Sequence, residues 1–307
     1  MTVTRLHTLY GVKIHETMLG GITAQNLPLG NQVQGEASSG EVYTRFQSLM
    51  GAKPQATFST LNIAAALDLC GVTGYDVDSG DGVVLYAQKT ADGATRTAGA
   101  NHRSYTIADG LLVPQTLSVN HAGNATLSYL LLATSADGTT HPVAIAETVT
   151  LGAVTDGERF TLGPITIGAV TVAEPRSLSV QFGINARTEG AGSELYDTHA
   201  WIASIQPSLT ITGVDVELLK AANIPLTGQA ATHANTTIYL RKRAAGSTFV
   251  ADATEEHIKL TADGLAVVED AMAASGDDPA ETGLVLSCEY DGTNAPITVD
   301  TSSALPA

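Results

Sequence analysis

The chain has 307 residues, a length that fits about two domains of ~150 residues each. Hydrophobic residues make up 44% of it, enough for a substantial core, while charged residues make up only 15% and the formal net charge is −16. Tight binding of free nucleic acid is not expected, because affinity for phosphate rests on clustered Lys and Arg. The abundance of Thr, Ser, Asn and Gly is typical of strands and turns, so we expect a mainly β protein.

The sequence predicts neither a membrane segment nor a disulfide bond. Residues 1–19 lack the continuous apolar stretch of a signal peptide, and the longest apolar run, Tyr129–Ala133, is too short to cross a bilayer. Cys70 falls in a predicted helix and Cys288 in a predicted strand, at positions that do not correspond between the copies described next. We therefore expect two reduced thiols, as in a reducing cytoplasm.

An internal repeat is the strongest signal in the chain. Identical residues recur at a shift of 153 or 154 positions, in the pairs Glu41 and Glu194, Tyr43 and Tyr196, Pro54 and Pro207, Tyr86 and Tyr239, Lys89 and Lys242, and Asp109-Gly110 and Asp263-Gly264. The matches keep their order from residue 41 to residue 142, which chance would not give. Near the start, residues 21–35 align with 168–183 only across a gap. The repeat predicts two tandem copies of one domain, residues 1–154 and 155–307.

Each copy is predicted to contain strands, one short helix and further strands. The predicted strands are 55–60, 83–89, 104–107 and 125–134 in copy one, and 208–212, 237–242, 258–260 and 284–288 in copy two. Asn62 is placed to cap a helix over 63–69 that stops near Gly71, and Asp215 to cap a helix over 216–221. The Asp-Gly pairs at 109–110 and 263–264 predict turns. This pattern favours a β-sandwich or barrel-like domain flanked by one short α-helix.

A long Gly- and Ser-rich loop is predicted before the helix in each copy, over about 35–53 and 183–206. Loops of this length are usually functional or interaction elements. The candidate inter-subunit contact residues in them are Glu41, Tyr43, Glu194, Tyr196 and Trp201, the only tryptophan. Tyr and Trp are favoured at interfaces. An equally weighted alternative is that these aromatic side chains fold each loop onto its own domain.

Reactive constellations are not apparent, so we expect no catalytic residues, no cofactor and no metal site. The eight histidines are scattered, and none has HxxxH or HExxH spacing. His102 and His257, 155 positions apart, are interpreted as turn or strand residues inherited by both copies. The acidic segment 76–82 lacks the Gly and Glu positions of an EF-hand loop and is interpreted as an acidic turn.

Charge is distributed unevenly along the chain. Residues 1–153 contain 11 acidic and 7 basic residues, a net charge of −4, whereas residues 154–307 contain 20 acidic and 8 basic residues, a net charge of −12. Arg241 and Arg243 share one face of a predicted strand. They are either solvated or form salt bridges with an acidic neighbouring subunit. The two copies thus keep a common scaffold but expose different surfaces.

The repeat resembles the tail tube proteins of long-tailed bacteriophages, particularly those with two fused tube domains. The resemblance rests on the β-rich unit of about 150 residues, the helix after a strand (Asn62 to Leu69, Asp215 to Ala221) and the long loop before that strand. It implies a virion protein, assembled in the host cytoplasm, that forms trimeric rings with pseudo-sixfold symmetry. Such rings would stack into a tube with an acidic lumen that lets DNA pass during genome ejection. Its partners would be other copies and the tail proteins at the tube ends.

Two further interpretations stay open at this point. One is another virion component, such as a baseplate or capsid-decorating protein. The other is a carbohydrate-binding β-sandwich module, which an aromatic content of only 5% disfavours. An enzyme ranks below these.

Overall fold

The computed structural model confirms a mainly β protein built from large antiparallel sheets. It describes residues 6–78, 80–90, 102–154, 157–172, 175–213, 216–246, 249–273, 281–290, 292–293 and 295–306. Most of the predicted joint between the copies, 155–157, lies outside these residues. Within the described ranges, no helix is long and apolar enough to cross a membrane.

The described residues of the first half contain one helix, α1 (Ile63–Cys70), among short strands. The strands are β1 (Leu6–Ile14), β2 (Thr17–Leu19), β3 (Ile22–Asn26), β4 (Asn31–Glu36), β5 (Phe46–Ala52), β6 (Gln55–Thr60), β7 (Tyr75–Val77), β8 (Val83–Thr90), β9 (His102–Ile107), β10 (Asp109–Asn120), β11 (Thr126–Thr134) and β12 (Val143–Val149).

The second half contains the helix α2 (Val216–Ala221) in a similar order of elements. The strands are β13 (Phe160–Ile167), β14 (Val170–Val172), β15 (Ser177–Gln181), β16 (Ile184–Glu189), β17 (His199–Ile205), β18 (Ser208–Thr212), β19 (Ala231–Lys242), β20 (His257–Ala273), β21 (Glu281–Cys288) and β22 (Ile297–Ser303). Here β19 spans the positions of β7 and β8, and β20 spans those of β9 and β10.

Antiparallel pairing assembles most strands into two sheets. The small sheet has the order β12-β9-β8-β1-β2. The long sheet runs β14-β13-β19-β20-β21-β18-β15-β10-β11-β6-β3, with β22 beside β20 and β7 beside β10. It passes from one half of the chain to the other at the β15–β10 pair. The hairpins β4–β5 and β16–β17 form separate two-stranded sheets.

Strand alternation builds the core. In β11, Leu127, Tyr129 and Leu131 are fully buried, while the residues between them point to the other face. The ring of Tyr129 stacks on that of Phe58 in β6, with centroids 5.2 Å apart. Side chains of the small sheet, such as Leu85, belong to the same buried cluster. Burial of alternate residues therefore packs one face of the long sheet into the core.

Helix α1 packs through one face, whose buried residues are Ile63, Ala64, Ala66, Leu67 and Cys70. It begins after Asn62 and ends at Gly71 (φ 62°), as predicted, and is one residue longer than expected. The side chain of Asn62 makes no capping hydrogen bond. Its Oδ1 instead accepts a hydrogen bond from Nη1 of Arg159 at 3.4 Å, so a contact with the second half replaces the predicted cap. Asp215, the other predicted cap, lies outside the described residues.

Backbone conformations recur at an offset of 153 residues, even near the start of the chain. Gly30 and Gly183 share a φ of 61°, and at both positions a Cβ would overlap neighbouring backbone. His15 (φ 52°), in the turn between β1 and β2, matches Gly168 (φ 59°) between β13 and β14. The register is thus kept without the gap that the sequence alignment needed.

The two Asp-Gly pairs, 109–110 and 263–264, do not form the predicted turns. Strand β10 begins at Asp109, and β20 continues through the second pair. A Cβ on Gly110 would overlap the carbonyl oxygen of Leu132 in the adjacent strand, and the second glycine approaches its neighbour as closely. Glycine here permits close approach between strands rather than a reversal of the chain.

The two predicted long loops are hairpins. The first arm, residues 31–52, pairs β4 with β5 from Asn31 opposite Ala52. The second arm, residues 184–205, pairs β16 with β17 from Ile184 opposite Ile205. The first residues of the two arms are 153 positions apart, and so are their last residues. The prediction of irregular loops was wrong because their polar and glycine-rich composition conceals the cross-strand pairing.

Candidate assembly surfaces

The second arm folds back onto the first half of the chain. Its tip residue Tyr196 is 9% exposed, forms a β-bridge with Ala52, and has its ring 5.1 Å from that of His141. The backbone N–H groups of Leu195 and Tyr196 both donate to the carbonyl oxygen of Gly138, at 2.9 and 3.0 Å. Tyr196 is therefore an anchor between the two halves of one chain.

The turn that receives the tip is built around Gly138 (φ 69°). Glu194 lies directly over it, and its Oε2 accepts a hydrogen bond from Oγ1 of Thr198 at 3.1 Å. Asp137 organises the turn by accepting hydrogen bonds from the backbone and side chain of Thr140, both at 2.7 Å. These hydrogen bonds hold the pKa of Asp137 well below its usual range.

The underside of the second arm is apolar. Ala186 and Ile202 lie opposite each other in the hairpin and pack against the core. Beneath this arm, β10 contributes Leu111, 7% exposed, and Val113, fully buried. Trp201, the neighbour of Ile202, points to the other side and remains 40% exposed. The arm thus covers apolar residues of the long sheet and leaves the predicted tryptophan on the outer side.

The first arm, in contrast, is exposed on this chain. Its large apolar side chains are open to solvent at Val33, Val42, Tyr43, Phe46, Leu49 and Met50. Tyr43 is 83% exposed, although it matches the buried Tyr196. Glu41 forms an ion pair with Arg45 at 2.6 Å within the arm. A concentration of exposed apolar side chains of this kind marks an interaction surface.

The β10–β15 ladder joins the sheets of the two halves. Its register pairs Leu117 with Val180 and Val119 with Leu178. The N–H of Phe182 extends it by donating to the carbonyl oxygen of Gln115 at 3.0 Å. The apolar side chains of the four paired residues are buried. The ladder is therefore both hydrogen-bonded and backed by core packing.

Strands β3 and β20 correspond to β15 and β10 in the repeat, and their matching edges carry no such ladder among the described residues. Strand β3 stands at the end of the sheet and pairs only with β6 among the described strands. Beyond Ala266, β20 is paired with β21 on one side only, again among the described residues. Unpaired edges of this kind can accept another chain.

A cleft of about 840 Å³ accompanies the β3 edge. It is lined in part by His7, Leu9, Ile22 and Gln25. Partial burial, followed by the charges of Arg103 and Lys89, lowers the pKa of His7.

The equivalent groove in the second half is covered by the turn between β10 and β11. The N–H of Ala125 donates to the carbonyl oxygen of Phe160 at 2.7 Å, and that of His121 to the carbonyl oxygen of Arg176 at 2.6 Å. Phe160 is 153 positions after His7, which lines the open cleft. The turn therefore occupies part of this groove, and a smaller cleft of about 470 Å³, lined in part by His121, Leu162 and Pro175, remains beside it.

Across β6, β11, β10, β15 and β18, the outer face of the long sheet is rich in polar, uncharged side chains. Cross-strand rows of hydroxyl and amide side chains run along it, comprising Gln55, Thr57, Ser59, Thr116, Ser118, Thr126, Ser128, Ser177, Ser179, Gln181, Ser208, Thr210 and Thr212. We call these residues the polar sheet face. Neighbours in it hydrogen-bond across strands, as Thr116 does with Gln181 at 2.8 Å. None of these residues carries a charge.

The two strand arginines have partners within the chain. Arg241 forms an ion pair with Asp252 at 2.5 Å, and its guanidinium lies 4.3 Å from the ring centroid of Phe249. Arg243 donates through Nη2 to the carbonyl oxygen of Ala122 at 3.3 Å, which reaches the first half. Their predicted role toward a neighbouring subunit stays a prediction.

The matched histidines are structural neighbours of matched lysines. The buried His102 accepts a hydrogen bond at Nδ1 from the N–H of Lys89 at 3.0 Å, and His257 accepts one from Lys242 at 2.9 Å. Across the described ranges, no group of three or more His, Cys, Asp or Glu side chains could hold a metal ion.

Comparison with known proteins adds no assignment, since no protein-family model and no curated protein matches the chain.

Proposed function

We propose that this chain is a duplicated β-sandwich protein that self-assembles into stacked rings forming a tube, as the tail tube proteins of long-tailed phages do. The observation that carries the proposal is the β10–β15 ladder. It joins one half of the chain to the other through strand edges, and among the described residues the matching edges of β3 and of β20 beyond Ala266 are unpaired. A unit that already pairs with its own copy has the contacts needed to pair with further copies.

The geometry required is head-to-tail. Strand β3 is offset from β15 by 153 residues, and the free part of β20 is offset from the paired part of β10 by 154. The β20 edge of one chain can therefore pair with β3 of the next in the same way. Heterologous contacts generate a closed ring when their rotation closes. Three chains would then supply six similar units, with exact threefold and approximate sixfold symmetry.

The proposed lumen wall is the polar sheet face. Its opposite face is covered by core packing, so a closed ring of these sheets leaves the hydroxyl and amide rows for the interior. Such a wall, without Lys or Arg, offers phosphate no strong partner, and the net charge of −16 opposes adhesion of DNA. In this proposal the part of the lumen formed by the polar sheet face is polar and uncharged.

Purified protein tests the proposal through its assembly state. Light scattering after gel filtration, followed by negative-stain microscopy over a concentration series, is expected to show trimeric rings that stack into tubes. Persistent monomers at high concentration would overturn it. Closed rings that never stack would favour a baseplate or capsid-decorating protein instead.

A further inference from the structure

Among the described residues, two apolar surfaces lack a cover, and the docked second arm shows how such surfaces fit together. One is the first arm. The other lies on the second half, at the positions that match the sheet residues beneath the second arm. Leu265 is 41% exposed, whereas its counterpart Leu111 is 7% exposed. Val267 is partly exposed, whereas its counterpart Val113 is fully buried.

The matching turn is also vacant. Gly292 (φ 91°) has the left-handed conformation of Gly138 (φ 69°) and follows it by 154 residues. A Cβ on Gly138 would overlap Glu194, but a Cβ on Gly292 would meet nothing within 4 Å. The side chain of Tyr290, two residues before this turn, is 61% exposed. Among the described residues, nothing is therefore seated over Gly292 in the second half.

The first arm has the complementary pattern. Val33 and Leu49 lie opposite each other in its hairpin, as Ala186 and Ile202 do in the second arm, and each is 153 residues before its counterpart. Val33 is 67% exposed and Leu49 is 43% exposed, whereas both counterparts pack on the core. The same offset relates Glu41 and Tyr43 at the tip to Glu194 and Tyr196.

We propose that the first arm of one copy docks on the second half of a neighbouring copy. Val33 and Leu49 then cover Leu265 and Val267, and Tyr43 takes the place that Tyr196 has at the Gly138 turn. Glu41 lies over Gly292, as Glu194 lies over Gly138. This inference rests on the proposed self-assembly and adds its partner surface, the second half of another copy of this chain.

A photocrosslinking experiment locates the docked arm. Benzoylphenylalanine replaces Tyr43 in the full-length chain, which is mixed with ¹⁵N-labelled wild-type protein, irradiated under assembling conditions and mapped by mass spectrometry. The expected adduct joins residue 43 of one chain to the segment 281–300 of another. The same photoprobe at position 196 is the control, and it should react within its own chain near Gly138.

Charge substitution tests the apolar contact itself. Leu49→Glu should raise the concentration needed for assembly at least about tenfold, because a carboxylate would be buried against Leu265. Met50→Glu is the matched control, since Sδ of Met50 accepts a hydrogen bond from Oγ of Ser48, whose side chain alternates with that of Leu49 along β5. Its expected effect is less than about twofold, which is less than about a third of the 1.4 kcal/mol that a tenfold change represents.

Each outcome separates this inference from the proposed function. Rings that form while residue 43 crosslinks within its own chain, or to another segment, would overturn the arm docking and leave self-assembly standing. Equal effects of Leu49→Glu and Met50→Glu would also overturn it. Wild-type protein that stays monomeric under all conditions would overturn both.

Discussion

Glu194 lies so closely over Gly138 that no side chain fits between them. The two residues belong to different halves of the chain, 56 positions apart in a contact that the repeat alone does not specify. The close approach lets Leu195 and Tyr196 donate their N–H groups to the carbonyl oxygen of Gly138. Gly138, in a turn of the first half, thus forms the contact surface for the second arm.

Gly138→Ala should release the second arm. The added methyl group would overlap Glu194, in addition to the cost of about 1 kcal/mol or more for a left-handed non-glycine residue. We expect faster amide exchange at residues 194–198, measured by mass spectrometry on monomeric protein at low concentration. Gly292→Ala is the control, because it carries the same backbone strain but meets no neighbour within 4 Å. Unchanged amide exchange in Gly138→Ala would contradict the role of Gly138 as the contact surface for the second arm.

Leu27→Pro should block ring closure. The carbonyl oxygen of Pro28 accepts a hydrogen bond from the N–H of Gln55, so the adjacent residue 27 directs its backbone N–H to the open side of β3. Proline removes that donor without removing a bond to β6. Leu27→Ala deletes the same side chain and keeps the N–H, so it should still assemble. Gel filtration with light scattering distinguishes them, and assembly by both variants would count against the β3 edge.

The sequence predicted the strand content because apolar core residues alternate with outward-facing residues along the strands. The predicted strands 55–60 and 208–212 have the bounds of β6 and β18. The bulge in β10, opposite Tyr129 and Ser128, recurs in β20 opposite Leu284 and Gly283. No residue identity marks these bulges, so the sequence could not reveal them. They depend on the register between strands, which only the folded sheet displays.

The sequence was less informative about the arms. It identified Glu41, Tyr43, Glu194 and Tyr196 from their matched positions, but not which arm is docked, because burial depends on the surface opposite each arm. It matched Leu265 to Leu111 without assigning a role to either, and it missed Val33 and Leu49, whose counterparts Ala186 and Ile202 are not identical to them. Their signal is conserved apolar character at the 153- or 154-residue offset, and a comparison of hydrophobicity rather than identity would have found them.

His102→Ala should destabilise the fold by about 1–3 kcal/mol, because it leaves the N–H of Lys89 without its acceptor next to a buried site. His102→Asn should recover part of the loss, since an amide oxygen can accept the same hydrogen bond. Urea unfolding at neutral pH measures both. His257→Ala should behave in the same way through Lys242. Equal stability of the Ala and Asn variants would show that packing, and not the hydrogen bond, explains the loss.

Both cysteines should be unreactive in the folded protein. Burial raises the pKa of Cys70 to about 12, and burial followed by the charge of Asp263 raises the pKa of Cys288 to about 12. Since only the thiolate attacks alkylating reagents, and its fraction at pH 8 falls about tenfold for each unit by which the pKa rises, labelling should be at least about a hundredfold slower than in unfolded chains. The rate should increase as the pH rises toward the raised pKa. Iodoacetamide kinetics with and without guanidinium measure this, and Cys288→Ser isolates the signal of Cys70. Rapid labelling of the native protein at pH 8 would mean that the strand end at Cys288 or the helix at Cys70 opens readily.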